Sequence, residues 1–279
     1  MDAHFRSFSF VDRIGALEPG VGIRGRYTIP PAVDAFPASL VSEAVGQLAA
    51  WAAMAAVGFT HRPVAGIAGR IELLAPVGPG QVLELAADLE SVDTETAGYS
   101  GTAHADGRLV IRLQDCVGPM VPVAEFDDPQ ALRDRFALLG TLGAAPGGFG
   151  GLPALDVQRD GGERGQSARA RLRVPVAAPF FADHFPRRPV FPGTLLMHCN
   201  LQTAALLAAE VPATDGTAWV PRVVSDVKLR AFITPGEMVN LEAKRTGCSG
   251  TGLSVVVEAR IKQRLIGSAD IQFSPEAQP

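Results

Sequence analysis

The stretch of the chain best suited to chemistry runs from residue 179 to 202 and reads PFFADHFPRRPVFPGTLLMHCNLQ. It contains His184, whose imidazole can take up or release a proton near neutral pH. Gly193 follows nine positions later, where the apolar sequence from Thr194 onward predicts a helix start. Backbone N–H groups at a helix start have no partner within the helix and favour negative charge. The stretch therefore brings a candidate general base towards a candidate oxyanion site.

This stretch resembles the β-hydroxyacyl-acyl-carrier-protein dehydratases of bacterial fatty-acid synthesis. Their signature is close to PFF-x-GHFP-x-x-PVMPG-x-L and continues into a helix with a carboxylate and then a glutamine. The matching residues are Pro179, Phe180, Phe181, His184, Phe185, Pro186, Pro189, Val190, Pro192, Gly193, Leu195 and Gln202. The resemblance implies a hotdog fold, in which a curved sheet wraps a long helix. It also implies that His184 is the general base and that the Gly193 N–H is the oxyanion donor.

The chain departs from this signature at two informative positions. His198 stands five residues after Gly193, where the family has glutamate or aspartate. Without a second histidine loop opposite it, we expect no catalytic role for His198. Asp183 replaces the glycine that precedes the histidine in the family. Because a negative charge favours a protonated imidazole, we expect Asp183 to raise the pKa of His184.

The missing carboxylate is found in the first half of the chain. Residues 36–47 read FPASLVSEAVGQ and residues 191–202 read FPGTLLMHCNLQ, with four identities at a constant offset of 155. In this alignment Glu43 falls opposite His198. A period of this length is too long for a solenoid repeat, so the chain is predicted to be a duplication of whole domains.

The two halves have lost complementary parts of one site. The first half keeps the carboxylate and lacks about ten residues of the histidine loop, whereas the second half keeps the loop and lacks the carboxylate. In the family that the chain resembles, each site takes its histidine from one subunit and its carboxylate from the other. We therefore expect one composite site per chain, with His184 as base and Glu43 acting on the leaving hydroxyl.

The resemblance also implies which residues meet the substrate and its carrier. The predicted substrate contacts are Phe181, Phe185, Pro192 and Gln47, and the acyl chain is expected to run between the two central helices. The predicted contacts to an acyl carrier protein are Arg187, Arg188, Lys228 and Arg230. Residues 1–140 carry 10 basic and 17 acidic residues, and residues 141–279 carry 15 and 12, so the histidine-bearing half is the basic one. Such a half suits an acidic partner, although solvated surfaces of differing composition explain the asymmetry equally well.

The remaining sequence predicts the same plan twice. Residues 8–29 read as a hairpin, residues 39–58 as a helix that is apolar on nearly every face, and residues 67–113 as strands. This order is typical of α+β proteins, and the resemblance narrows it to a double hotdog. The predicted parts are a hotdog domain at 1–117, a flexible linker with a short helix at 118–153, and a second hotdog domain at 154–279.

The composition is that of an ordinary globular protein of about two domains. The 279 residues are 47% hydrophobic and 19% charged, with a net charge of −4. The three cysteines are scattered, and no dinucleotide, phosphate-loop or metalloprotease motif occurs. The N-terminus lacks the apolar core of a signal peptide. We expect a cytoplasmic enzyme that can form homo-oligomers and needs no metal, cofactor, nucleic acid or membrane.

Two other functions remain open from the sequence. A hotdog thioesterase would release a free acid and a thiol instead of an enoyl thioester. A non-catalytic acyl-chain binding protein would hold such thioesters without turnover.

Overall fold

The computed structural model describes residues 4–213 and 216–276. Its helices are α1 (Ala38–Ala56), α2 (Val123–Phe126), α3 (Pro129–Gly140) and α4 (Gly193–Ala208). Its strands are β1 (Arg13–Glu18), β2 (Gly22–Thr28), β3 (His61–Pro63), β4 (Ile67–Leu73), β5 (Val82–Val92), β6 (Thr96–Ala105), β7 (Arg108–Pro122), β8 (Val157–Arg159), β9 (Ser167–Arg173), β10 (Trp219–Leu229), β11 (Met238–Ser249), β12 (Gly252–Ile261) and β13 (Arg264–Pro275). The predicted hairpin, the two long helices and the later strands are confirmed, whereas the short elements β3 and α2 were not predicted.

The strands form one long antiparallel sheet that runs through both halves of the chain. Their order is β1-β2-β5-β6-β7-β4-β10-β13-β12-β11-β9-β8, and β3 pairs with β7 beside this path. The two halves meet where β4 pairs with β10, with Ile71 opposite Val224. A continuous hydrogen-bonded sheet therefore fixes the position of one half against the other.

The two long helices pack on different parts of this sheet. The alanine-rich α1 has high helix propensity and buries residues on nearly every face, including Leu40, Val45 and Leu48. It contacts β2, β5 and β6, whereas α4 contacts β9, β11 and β12. The strands present alternate residues to these helices, as in β9, where Ala168, Ala170 and Leu172 are buried. The helices also touch each other, so residues of both halves meet along their contact.

The segment between the two halves contains the predicted short helix. Asp128 caps α3 by accepting hydrogen bonds from the N–H groups of Gln130 and Ala131. Strand β7 continues to Pro122, past the predicted boundary at residue 117. The glycine-rich part is packed at Phe149, which is 4% exposed and whose ring centroid lies 5.1 Å from that of Phe10. Among the described residues, no helix is long and apolar enough to cross a membrane.

Candidate active site

A cavity of about 190 Å³ lies where the first turn of α4 faces α1. Its wall includes Glu43 on α1, His184 on the loop before α4, and Gly193 at the start of α4. Glu43 and His184 are 141 positions apart in the sequence. The fold nevertheless brings all three predicted catalytic residues to one cavity.

The imidazole of His184 is held in one tautomer. Its Nδ1 lies 2.8 Å from the carbonyl oxygen of Val190. Because a carbonyl only accepts hydrogen bonds, Nδ1 carries the proton and Nε2 keeps a free lone pair. Burial lowers the pKa of His184, and the nearby charge of Glu43 partly opposes this effect. The side chain is therefore arranged as a neutral base.

The carboxylate of Glu43 is held from two sides. The Gln47 amide, one turn further along α1, donates from Nε2 to Oε1 at 2.9 Å. The Thr194 hydroxyl, at the second position of α4, donates to Oε2 at 2.5 Å. Thr194 belongs to the other half of the chain and was not predicted as a site residue. It occupies an unspecified position of the signature, which is why pattern matching passed over it.

Gly193 is the first residue of α4, and Pro192 precedes it as the N-cap. In the described part of the chain, no side chain caps this helix end. A Cβ at Gly193 would overlap the side chain of Leu229 and would lie 3.3 Å from the Cβ of Ala65. A side chain at this position would therefore have to displace Leu229, and the first N–H groups of α4 have no partner within the helix.

The expected effect of Asp183 on the histidine was wrong. Its carboxylate accepts hydrogen bonds from the N–H of Phe5, the N–H of Phe8 at 2.6 Å and the hydroxyl of Ser9 at 3.2 Å. These donors take up its charge, burial raises its own pKa, and the pKa of His184 is lowered. Asp183 therefore anchors the N-terminal segment, and Phe5, Phe8 and Ser9 line the cavity.

Gln47 holds the same segment from the side of α1. Its Oε1 accepts the N–H of Phe10 at 2.8 Å, and its Nε2 donates to the carbonyl of Phe8 at 2.9 Å. Gln47 thus connects the N-terminal segment to Glu43.

From the place where the two helices face each other, the cavity extends mainly along α1. On α1 it is lined by small residues, Gly46 and Ala50, and further along by Trp51 and Met54. On α4 it reaches only as far as Met197 among the described residues. The predicted path of the acyl chain between the two central helices stays a prediction, and the cavity offers room for a chain beside α1.

Two of the four predicted substrate contacts line this cavity. These are Gln47 and Phe185. Phe181 is 8% exposed and belongs to the main apolar core. The carbonyl of Pro192 accepts the first hydrogen bonds of α4, from Leu195 and Leu196.

The four predicted carrier contacts differ in their surroundings. Arg187 donates to the carbonyl of Ala124 at 2.9 Å and pairs with Asp128 at 3.4 Å. Arg188 pairs with Glu125 at 3.5 Å. Lys228 lies 3.8 Å from Asp226, and Arg230 is exposed. The positive charges of Arg187, Arg188 and Lys228 are thus partly neutralised by neighbouring carboxylates.

His198 lies on α4 and is not part of the cavity wall among the described residues. Burial lowers the pKa of His198. Two further cavity residues were missed by sequence reasoning. They are Arg62 on β3 and Tyr99 on β6, and neither stands in a recognisable motif.

Comparisons with known proteins identify dehydratases as relatives of the chain. The family model described as ApeI-like, ApeI dehydratase, matches residues 160–264. The 3-hydroxyacyl-acyl-carrier-protein dehydratase FabZ of Streptococcus thermophilus is 32% identical over 101 residues, which are 36% of this chain and 72% of that protein. The FabZ of Roseiflexus sp. is 33% identical over 99 residues, covering 34% and 69%.

Several solved structures resemble nearly the whole chain. A MaoC-like dehydratase has a TM-score of 0.53 at 13% identity and covers 93% of this chain and 98% of its own. The 12:0-ACP thioesterase of Umbellularia californica has a TM-score of 0.53 at 10% identity, covering 91% and 94%. At these identities the likeness concerns the fold alone, which is the hotdog fold.

Proposed function

Because the chain belongs to the family of the 3-hydroxyacyl-acyl-carrier-protein dehydratases, we propose that it removes water from a (3R)-hydroxyacyl thioester. The product is a trans-2-enoyl thioester. The observation that carries this proposal is the cavity in which His184, with a free Nε2, faces the same space as Glu43.

The proposed reaction uses three groups of the protein. The thioester carbonyl accepts a hydrogen bond from the Gly193 N–H, which stabilises the enolate-like charge. His184 Nε2 takes the C2 proton, and the electron pair of that C–H bond forms the C2–C3 double bond. The C3–O bond breaks while Glu43 orients the leaving hydroxyl, which takes up either the proton of a protonated Glu43 or the proton now on His184 and departs as water. Where Glu43 is the donor, the proton on His184 passes to Glu43, directly or through solvent, so the protein is unchanged and no cofactor enters the balance.

We further propose that the chain is a double hotdog with a single site. Its parts are residues 1–117, a linker at 118–153, and residues 154–279. The helix–sheet contacts of α1 and α4 support this division, as does the complementary loss of catalytic residues in the two halves.

The proposed carrier is an acyl carrier protein in fatty-acid or polyketide synthesis in the cytoplasm. The names of the curated relatives support such a carrier. Arg187, Arg188, Lys228 and Arg230 are the proposed contacts. The pantetheine arm would enter beside them, and the acyl chain would extend along α1 past Gly46 and Ala50.

Mass spectrometry of acyl-carrier substrates tests this function directly. Hydroxyacyl chains of several lengths, on carrier protein and on coenzyme A, are incubated with the protein. The expected product is lighter by one water and still bound to its carrier. His184→Ala serves as the matched inactive control. Unchanged substrate at every length and on both carriers would refute the proposal.

The same experiment separates the two alternatives. A thioesterase, which the likeness in fold to the 12:0-ACP thioesterase also allows, would release free acid and free thiol. An acyl-chain binding protein would retain the thioester without changing its mass.

A further inference from the structure

Arg62 is a buried cation at the candidate site that the proposed reaction does not use. Its side chain is 13% exposed and belongs to the cavity wall. Burial lowers its pKa to about 10, so it remains charged at neutral pH. A buried charge is costly unless it is paired, and arginine is rarely buried without a structural or functional reason.

The guanidinium of Arg62 lies against the aromatic ring that follows the histidine. Its Cζ is 3.9 Å from the ring centroid of Phe185, within the range of a cation–π contact. The Phe185 ring in turn stacks on the imidazole of His184, with 4.0 Å between centroids and 24° between planes. Arg62, Phe185 and His184 are therefore joined by two successive ring contacts.

Among the described residues, Arg62 forms an ion pair with Asp127, and the charge of Glu43 also acts on it. Arg62 Nη1 pairs at 3.5 Å with Asp127, whose side chain is 2% exposed and also lies 3.3 Å from His4 Nε2. Its Nε is buried and has no hydrogen-bond partner among the described residues.

The histidine loop is attached to the first half of the chain at the same place. Phe185 and Val190 pack with Val64 and Phe126 in a small apolar cluster that is separate from the main core. The rings of Phe126 and Phe185 meet edge to face at 5.4 Å. Val64 follows β3 directly, so the strand that carries Arg62 also carries part of this cluster.

We propose that Arg62 is a positioning residue, which fixes His184 through the Phe185 ring and places a permanent positive charge beside it. This proposal rests on the proposed function for its catalytic meaning. The role is specific to arginine, because a planar guanidinium can stack on the ring while it pairs with Asp127.

The charge of Arg62 acts on the histidine in a definite direction. A neighbouring cation disfavours a protonated imidazole, and Arg62 contributes in this sense to the lowered pKa of His184, after burial. Glu43 on α1 acts in the opposite sense. Asp127, between α2 and α3, is paired with Arg62, and Asp183 is occupied by the N-terminal segment. Removing the charge of Arg62 must therefore raise the pKa of His184.

Two variants separate the charge from the stacking. Arg62→Met removes the charge and keeps a long side chain over the ring, whereas Arg62→Lys keeps the charge without the planar group. Arg112→Met is the matched control, because Arg112 also pairs with a carboxylate, Glu72 at 2.7 Å, but is 44% exposed. The His184 resonances are assigned by comparison with His184→Ala, and their pH titration is followed by NMR.

The titration tests the proposal without reference to turnover. In Arg62→Met the His184 pKa is expected to move upward, and in Arg62→Lys it should stay close to that of the unmodified protein. Arg112→Met should change neither. An unshifted His184 titration in Arg62→Met, or equal shifts in both Arg62 variants, would overturn the proposed role of the charge.

Kinetics then test the positioning. For Arg62→Met the acid limb of kcat/KM should shift upward together with the NMR titration. For Arg62→Lys, kcat should fall about tenfold or more at the optimum, because a small displacement of a catalytic group is costly. Full kcat in Arg62→Lys would show that the stacking does not position the base. If the unmodified protein dehydrates no substrate while the NMR shifts occur, the proposed function fails and the electrostatic role of Arg62 stands.

Discussion

Replacing Thr194 by valine should impair catalysis while leaving the fold intact. The change exchanges a hydroxyl for a methyl group of similar size and removes the 2.5 Å hydrogen bond to Glu43 Oε2. Gln47 still donates to Oε1, so the carboxylate keeps one partner. A hydrogen bond to a charged group contributes about 1.5–3 kcal/mol. If that amount is lost in the transition state, turnover falls roughly ten- to a hundredfold.

The loss should appear in kcat, because Glu43 acts when the C3–O bond breaks and not when the substrate binds. The assay measures enoyl-thioester formation at several substrate concentrations, with the melting temperature as a check on folding. Thr194→Ser is the matched control, since it keeps the hydroxyl and should retain most of the activity. Full kcat in Thr194→Val, or equal losses in both variants, would refute the argument that this hydroxyl aligns the acid.

Three further outcomes are expected. In turnover assays, His184→Ala and Glu43→Ala should each lower the turnover rate about 10²–10⁴-fold, and the double variant should be little worse than either single variant. His198→Ala should stay nearly fully active, and an inactive His198→Ala would reveal a second working site. Because burial lowers the pKa of His184, the imidazole stays neutral and kcat/KM should persist as the pH falls below about 6.5. A pH–rate profile in which kcat/KM already declines at a pH above about 6.5 would contradict a lowered pKa of His184. Charge reversal at Arg188 and Lys228 should raise KM for a carrier-bound substrate but not for a short pantetheine thioester. The increase in KM should become smaller as the salt concentration rises. Equal increases in KM for both substrates would argue against carrier docking at these residues.

The sequence predicted the parts of the site that obey a pattern. The run from Pro179 to Gly193 combines fixed prolines, a histidine and a helix start, and these are local properties of the chain. The offset of 155 between the halves then identified Glu43 as a partner of His184, because duplicated segments fold alike. Both residues do line one cavity.

The parts that escaped prediction depend on contacts between distant segments. Arg62 stands in a short strand without periodicity, and its role follows only from the stacking on Phe185. Asp183 adjoins the histidine in sequence, yet its carboxylate turns towards the N–H groups of Phe5 and Phe8. Sequence proximity therefore gave the wrong electrostatic partner, because three-dimensional hydrogen bonds decide where a buried charge is neutralised.

If the proposed function holds, the first turn of α4 explains how a fused pair of hotdog domains would work with one site. Gly193 begins this turn at the cavity wall, and the hydroxyl of the next residue, Thr194, donates to Glu43 of the other half. In the proposed reaction the same turn would place the oxyanion donor and align the acid, so both would depend on how the halves pack. The β4–β10 pairing fixes that packing within one chain. In a chain with one proposed site, the symmetry-related residues would not be required for activity, which would account for a histidine at position 198 and for the lack of a second histidine loop before Phe36 in the sequence.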